Sequence, residues 1–119
     1  MLLLVGDSFA FWADRHCMLP TSICTAGWRG GYIRDERFRR WAIATVADAR
    51  PEHALLVGGG NDIAQPSYNS RQLMQAFDEL VLGMLAAGAG RITVSHPSAH
   101  CRPSRSGHSG GLPAPAAPY

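Results

Sequence analysis

The sequence predicts a three-layer α/β fold built on a parallel sheet of about four strands. Three observations carry this expectation. Short apolar runs at residues 2–5, 22–25, 54–57 and 91–95 alternate with longer stretches of helical periodicity. The intervening stretches are long enough for the helical crossovers that parallel strands require. The first three runs each end in glycine and polar residues: Gly6-Asp7-Ser8, Gly27-Trp28-Arg29-Gly30-Gly31, and Gly58-Gly59-Gly60-Asn61-Asp62.

Leu2 to Val5 is continuously apolar and stops at Gly6, as expected of a strand buried on both faces. Ser8 to about Cys17 follows as a helix, with Phe9, Trp12, Ala13 and Cys17 at spacings of three to four. Ser22 to Thr25 is a weaker second strand. The second helix is expected from about Arg34 to Ala49, with Phe38, Trp41, Ala42, Thr45 and Val46 on one face and Pro51 beyond its end. Ala54 to Val57 is the third strand, and the glycine-rich run after it reads as a loop. Asn69 caps a third helix in which Leu73, Phe77, Leu80, Val81 and Met84 recur at helical spacing, stopped by Gly88 and Gly90. Arg91 to Ser95 is the fourth strand. Right-handed crossovers make this order a flavodoxin-like sheet, whose ligands sit at the carboxyl ends of the strands. Residues 1–95 form one domain on this reading, and residues 96–119, rich in Pro, Gly and Ser, form a disordered tail.

A hydrophobic fraction of 46% and a charged fraction of 17% suit a globular core, and the net charge of +2 gives no reason to expect nucleic acid or an anionic membrane as partner. The group Arg34, Arg37, Arg39 and Arg40, mixed with Asp35 and Glu36, reads as a solvated helix face. Cys17, Cys24 and Cys101 are odd in number and lack CxxC spacing, which argues against a disulfide framework or a thiolate zinc site. The apolar start lacks a basic flank and a cleavage pattern, and no run approaches a membrane span. A cytoplasmic protein without metal or cofactor is expected.

The chemistry lies in the three loops. A serine at a strand-to-helix turn presents its hydroxyl at the sheet edge, beside the positive helix end, although the same residue types serve as helix caps. An asparagine amide is a neutral donor suited to a developing oxyanion, although Gly, Asn and Asp also make ordinary turns. A glycine N–H in the second loop is a further donor. Trp12, Trp28 and Tyr32 are positioned to stack on a sugar or line an acyl cleft, or to serve the core.

Together the three blocks resemble the SGNH (GDSL) hydrolase superfamily. The nucleophile block matches Leu3-Leu4-Val5-Gly6-Asp7-Ser8. The Gly-x-x-Gly block matches Gly27-Trp28-Arg29-Gly30, and the Gly-x-Asn-Asp block matches Gly59-Gly60-Asn61-Asp62, reached from Pro51-Glu52 through the third strand. The resemblance covers residues 2 to about 95. It implies Ser8 as nucleophile, with Gly30 and Asn61 as oxyanion donors and Gly27 as second choice. It also implies an ester or acetylated carbohydrate as substrate.

The family's Asp-x-x-His block has no counterpart, because no Asp or Glu follows Glu79. The chain therefore reads as an incomplete, C-terminally truncated SGNH fold with an oxyanion pocket and little hydrolysis. Losing the base of a catalytic triad costs about 10⁶ in turnover in subtilisin. His96 is a candidate substitute base, with His100 and His108 further on. A metal site from His96, His100, Cys101 and His108 fits no standard spacing. The alternative reading is a non-catalytic SGNH-like binding module. A nucleotide binder is disfavoured, since the chain has neither a Gly-x-Gly-x-x-Gly motif nor any lysine. An unpaired fourth strand would leave an open edge and favour self-association.

Overall fold

The computed structural model describes residues 1–16 and 19–95. The expected tail, with His96, His100, Cys101 and His108, lies outside the described residues, as does Cys17. Four parallel strands, β1 (Leu2–Gly6), β2 (Ile23–Gly27), β3 (His53–Val57) and β4 (Arg91–Ser95), form one sheet in the order β2-β1-β3-β4. Between them run α1 (Ser8–His16), α2 (Glu36–Ala49), the single turn α3 (Gly60–Ile63) and α4 (Ser70–Ala86). The order is flavodoxin-like, and the chain reverses its direction of travel across the sheet between β1 and β3.

The two central strands are the most apolar, because both their faces are covered. Leu3, Val5, Ala54 and Leu56 point into a core with Phe38, Ala42 and Val46 of α2 and Leu73, Phe77, Leu80 and Met84 of α4. Leu4 and Val57 point to the other face, where they meet Ala10 and Ala13 of α1. Reversal at β1 thus places α1 opposite α2 and α4, which gives the three layers. Fully burying a side chain such as Leu80 or Met84 is worth about 1.5–3 kcal/mol.

Element boundaries follow caps and ladder bonds. β2 extends through Gly27, past the Thr25 expected from the apolar run, because it stays in register with β1 from Leu2↔Ile23 to Gly6↔Gly27. α2 begins at Glu36 rather than near Arg34, because Asp35 is the N-cap and its carboxylate accepts the Arg37 N–H. It ends at Arg50 in a left-handed conformation (φ 46°), just before Pro51. Asn69 caps α4 through the Gln72 N–H, as the sequence suggested.

The arginine group is not one solvated face. Arg37 and Arg40 are exposed and pair with Asp35 and Glu36, whereas Arg34 and Arg39 turn inward towards Asp62 and the Ile33 carbonyl. No helix among the described residues is long and apolar enough to cross a membrane.

Candidate active site

β1 and β3 are neighbours, so the loops carrying Ser8 and Asn61 leave adjacent strands, and the loop after β2 flanks β1 on its other side. The helix-cap explanation of Ser8 fails on local geometry. Asp7 performs that role: its Oδ1 accepts the Phe9 N–H at 3.0 Å and its carbonyl accepts the Phe11 N–H. Ser8 is already the first residue of α1, and its hydroxyl is left for a partner far along the chain.

That partner is Gly30. Its backbone N–H donates to Ser8 Oγ at 2.7 Å, across 22 residues of sequence. The hydroxyl accepts this bond and keeps its own proton to donate. Gly30 adopts φ +76°, which turns the peptide inward at little cost only without a side chain. Gly27 has a different task. It closes β2 against α1, where a Cβ would stand 2.0 Å from the Phe11 nitrogen. The Trp28 N–H bonds the Gly6 carbonyl, so by strand alternation the Gly27 N–H points away from β1.

Asn61 lies in α3, the helical turn that occupies the expected loop, and its Nδ2 donates to the Gly31 carbonyl at 2.9 Å. Adjacent residues, Gly30 and Gly31, thus touch Ser8 and Asn61. One amide hydrogen of Asn61 holds the loop, and the other has no hydrogen bond to the described residues.

Asp62 is the residue whose role the sequence did not disclose. It is fully buried. Its Oδ1 accepts the Ile33 N–H at 2.8 Å, its Oδ2 accepts the Arg34 N–H at 3.1 Å, and the Arg34 Nε lies 3.4 Å from Oδ2. That last contact is an ion pair without hydrogen-bond geometry, which leaves the buried Arg34 Nε without a hydrogen-bond partner. Consecutive residues, Asn61 and Asp62, therefore grip the loop that presents the Gly30 N–H. Each oxygen of Asp62 thus accepts one backbone N–H of this loop. Asp7 is also buried. Burial pushes its carboxyl above the ordinary value of 3.8, the Phe9 N–H works against that rise, and the Asp62 charge adds to it.

The described histidines are remote from Ser8. His53 starts β3 at the opposite sheet edge, where its Nε2 meets Thr93 Oγ1 at 2.7 Å. His16 lies two turns along α1 from Ser8 and stacks on Trp12 with ring centroids 5.1 Å apart. Eight residues of helix span ~12 Å, too far for direct proton transfer. Among the described residues no group of three or more His, Cys, Asp or Glu side chains comes together to hold a metal.

The aromatics divide. Trp28 packs on Phe38 and Trp41 at 6.0 and 5.6 Å and belongs to the core, while Trp12 and Tyr32 reach the surface. A cleft of about 320 Å³ lies between α2 and α4, but it is lined by Arg34, Arg39, Gln72, Gln75, Ala76 and Glu79 and does not include Ser8.

Comparison with protein families, curated proteins and solved structures finds no match for this chain.

Proposed function

We propose that this chain carries the nucleophile and oxyanion side of a serine hydrolase site of the SGNH type, directed at an ester or acetyl ester. The observation that supports this most is the 2.7 Å bond from the Gly30 N–H to the Ser8 hydroxyl. It joins two loops that have no packing reason to meet through a serine side chain, since Asp7 already caps the helix.

In this reading Ser8 Oγ attacks the ester carbonyl. The oxyanion that forms takes the Gly30 N–H and the free Asn61 amide hydrogen, each worth about 3–4 kcal/mol in such a role. The proton of Ser8 needs an acceptor, and none of the described histidines is within reach. His96 follows Ser95, the last residue of β4 at this same edge, and is the residue to test as base. Activity is therefore expected to be low and to depend on Ser8. The second reading, a binding module with a formed oxyanion pocket but no turnover, is favoured by the remoteness of His16 and His53.

Incubation with a fluorophosphonate probe, followed by peptide mass mapping, tests the proposal. Slow labelling confined to Ser8, abolished in Ser8→Ala and reduced in His96→Gln, is the expected result. A wild-type protein that takes no label at Ser8 under saturating probe overturns the hydrolase reading and leaves the binding module.

A further inference from the structure

The exposed side of α1 is unusual for a helix packed on a sheet. Counting from Ser8, the positions one and two turns on are Trp12 and His16, with Arg15 beside them. Trp12 is 39% exposed, and its ring is held by His16 at 5.1 Å and by the edge of Phe11 at 5.0 Å. Across from it, the Arg29 guanidinium lies 5.4 Å over the same ring, and Arg29 immediately precedes the Gly30 that touches Ser8. Arg15 lies 3.8 Å over Phe11 and bonds the Phe11 carbonyl. Among the described side chains no carboxylate pairs with Arg15 or Arg29, as is also true of Arg50, Arg71 and Arg91, whereas Arg34, Arg37, Arg39 and Arg40 each have one.

An exposed aromatic ring beside guanidinium groups that no described carboxylate neutralises is chemistry for a ring that carries negative charge. The indole face stacks on the ring, and a guanidinium binds an acidic group bidentately. We propose that Trp12, Arg29 and Arg15 form a subsite for a ring-bearing carboxylate, such as a uronic acid or an aryl acid, adjoining the Ser8 site. The distance restricts the ligand further. Ser8 and Trp12 are one helical turn apart, with Cβ atoms about 5–6 Å from each other, so a ligand that reaches both is compact. The placement as a substrate subsite rests on the hydrolase reading; the binding of the ring does not.

The test is an NMR titration of the indole N–H signal of Trp12, assigned with Trp12→Phe, using the full chain and four compounds: glucuronate, glucose, benzoate and benzyl alcohol. The acids are expected to shift the Trp12 signal with at least about tenfold tighter apparent binding than their neutral counterparts, and added salt weakens them. Arg29→Gln removes most of that preference, with circular dichroism showing an intact fold. Whether glucuronate or benzoate binds tighter identifies a sugar or an aryl source, and either result supports the subsite. Neutral and acidic rings binding alike, or an unchanged preference in Arg29→Gln, overturns it. Fluorophosphonate labelling of the wild type reads the hydrolase proposal separately. A protein that binds glucuronate at Trp12 but takes no label keeps the subsite and loses the hydrolase, and the reverse result does the opposite.

Discussion

The buried carboxylate of Asp62 accepts the Ile33 backbone N–H at 2.8 Å, across 29 residues of sequence. This bond ties the turn after β3 to the loop after β2, and the same carboxylate holds the next N–H, that of Arg34. Three residues before Ile33, Gly30 meets Ser8. The position of a backbone donor at the sheet edge is thus set by a buried carboxyl side chain beneath it.

Removing that side chain leaves the buried Ile33 N–H and the part-buried Arg34 N–H without their acceptor and takes away the carboxylate that faces Arg34 Nε. Asp62→Ala is expected to lower unfolding free energy by about 3–5 kcal/mol, measured by urea denaturation. Asp62→Asn keeps one acceptor oxygen and loses less. At a temperature where Asp62→Asn remains folded by circular dichroism, its Ser8 labelling is nonetheless slower than wild type. Equal labelling would mean that Asp62 stabilises the fold without positioning the loop.

The layout of the fold was legible because its signals are local. The continuous apolar runs of β1 and β3, the Asn69 cap and the spacing of Leu73, Phe77 and Leu80 depend only on neighbouring residues, and the structure places all of them as expected. The site was legible in part. Ser8 and Gly30 were singled out separately, and the topology brings them together. The cap was legible as a residue type but not as Asp7 rather than Ser8, and the task of Asp62 was not legible, since it read as a turn residue. What distinguishes them is burial and a partner N–H, two residues away for Asp7 and 29 residues away for Asp62. Arg34 was misplaced for the same reason: its helical spacing suggested solvent, and a buried carboxylate on another loop draws it inward.

Two glycines distinguish packing from conformation. A Cβ at Gly27 would stand 2.0 Å from the Phe11 nitrogen and 2.2 Å from its Cα, a backbone clash that no rotamer relieves. Gly27→Ala is expected to cost more than about 4 kcal/mol, because α1 must leave the sheet. Gly30→Ala meets no atom within 4 Å and bears only the strain of φ +76°, about 1–2 kcal/mol. Thermal unfolding of the two variants orders them, and equal losses would contradict the packing assigned to Gly27.

The outer strand β4 offers a pairing edge. The Gly58 N–H bonds the Ser95 carbonyl, so by alternation the backbone groups of Ile92 and Val94 point away from β3. Among the described residues no strand pairs with that side. Weak self-association is expected, seen as an average mass in sedimentation equilibrium that rises with concentration. A monomer mass that is constant across the concentration range would exclude it.

Asp7 links the site to pH. Its carboxyl is raised above 3.8 chiefly by burial, so the folded chain holds the proton more tightly than the unfolded chain. The resulting contribution to stability is complete below about 3.8 and is lost as pH rises through the folded-state value. Asparagine caps a helix as well as aspartate does, and its amide oxygen still accepts the Phe9 N–H. Asp7→Asn is therefore expected to be more stable than wild type at neutral pH, with the advantage shrinking as acid protonates the wild-type carboxyl. Melting temperatures of both proteins across that range measure the difference. A variant less stable at neutral pH would show that the ionised carboxylate, at the positive end of α1, gains more from the helix than burial takes from it.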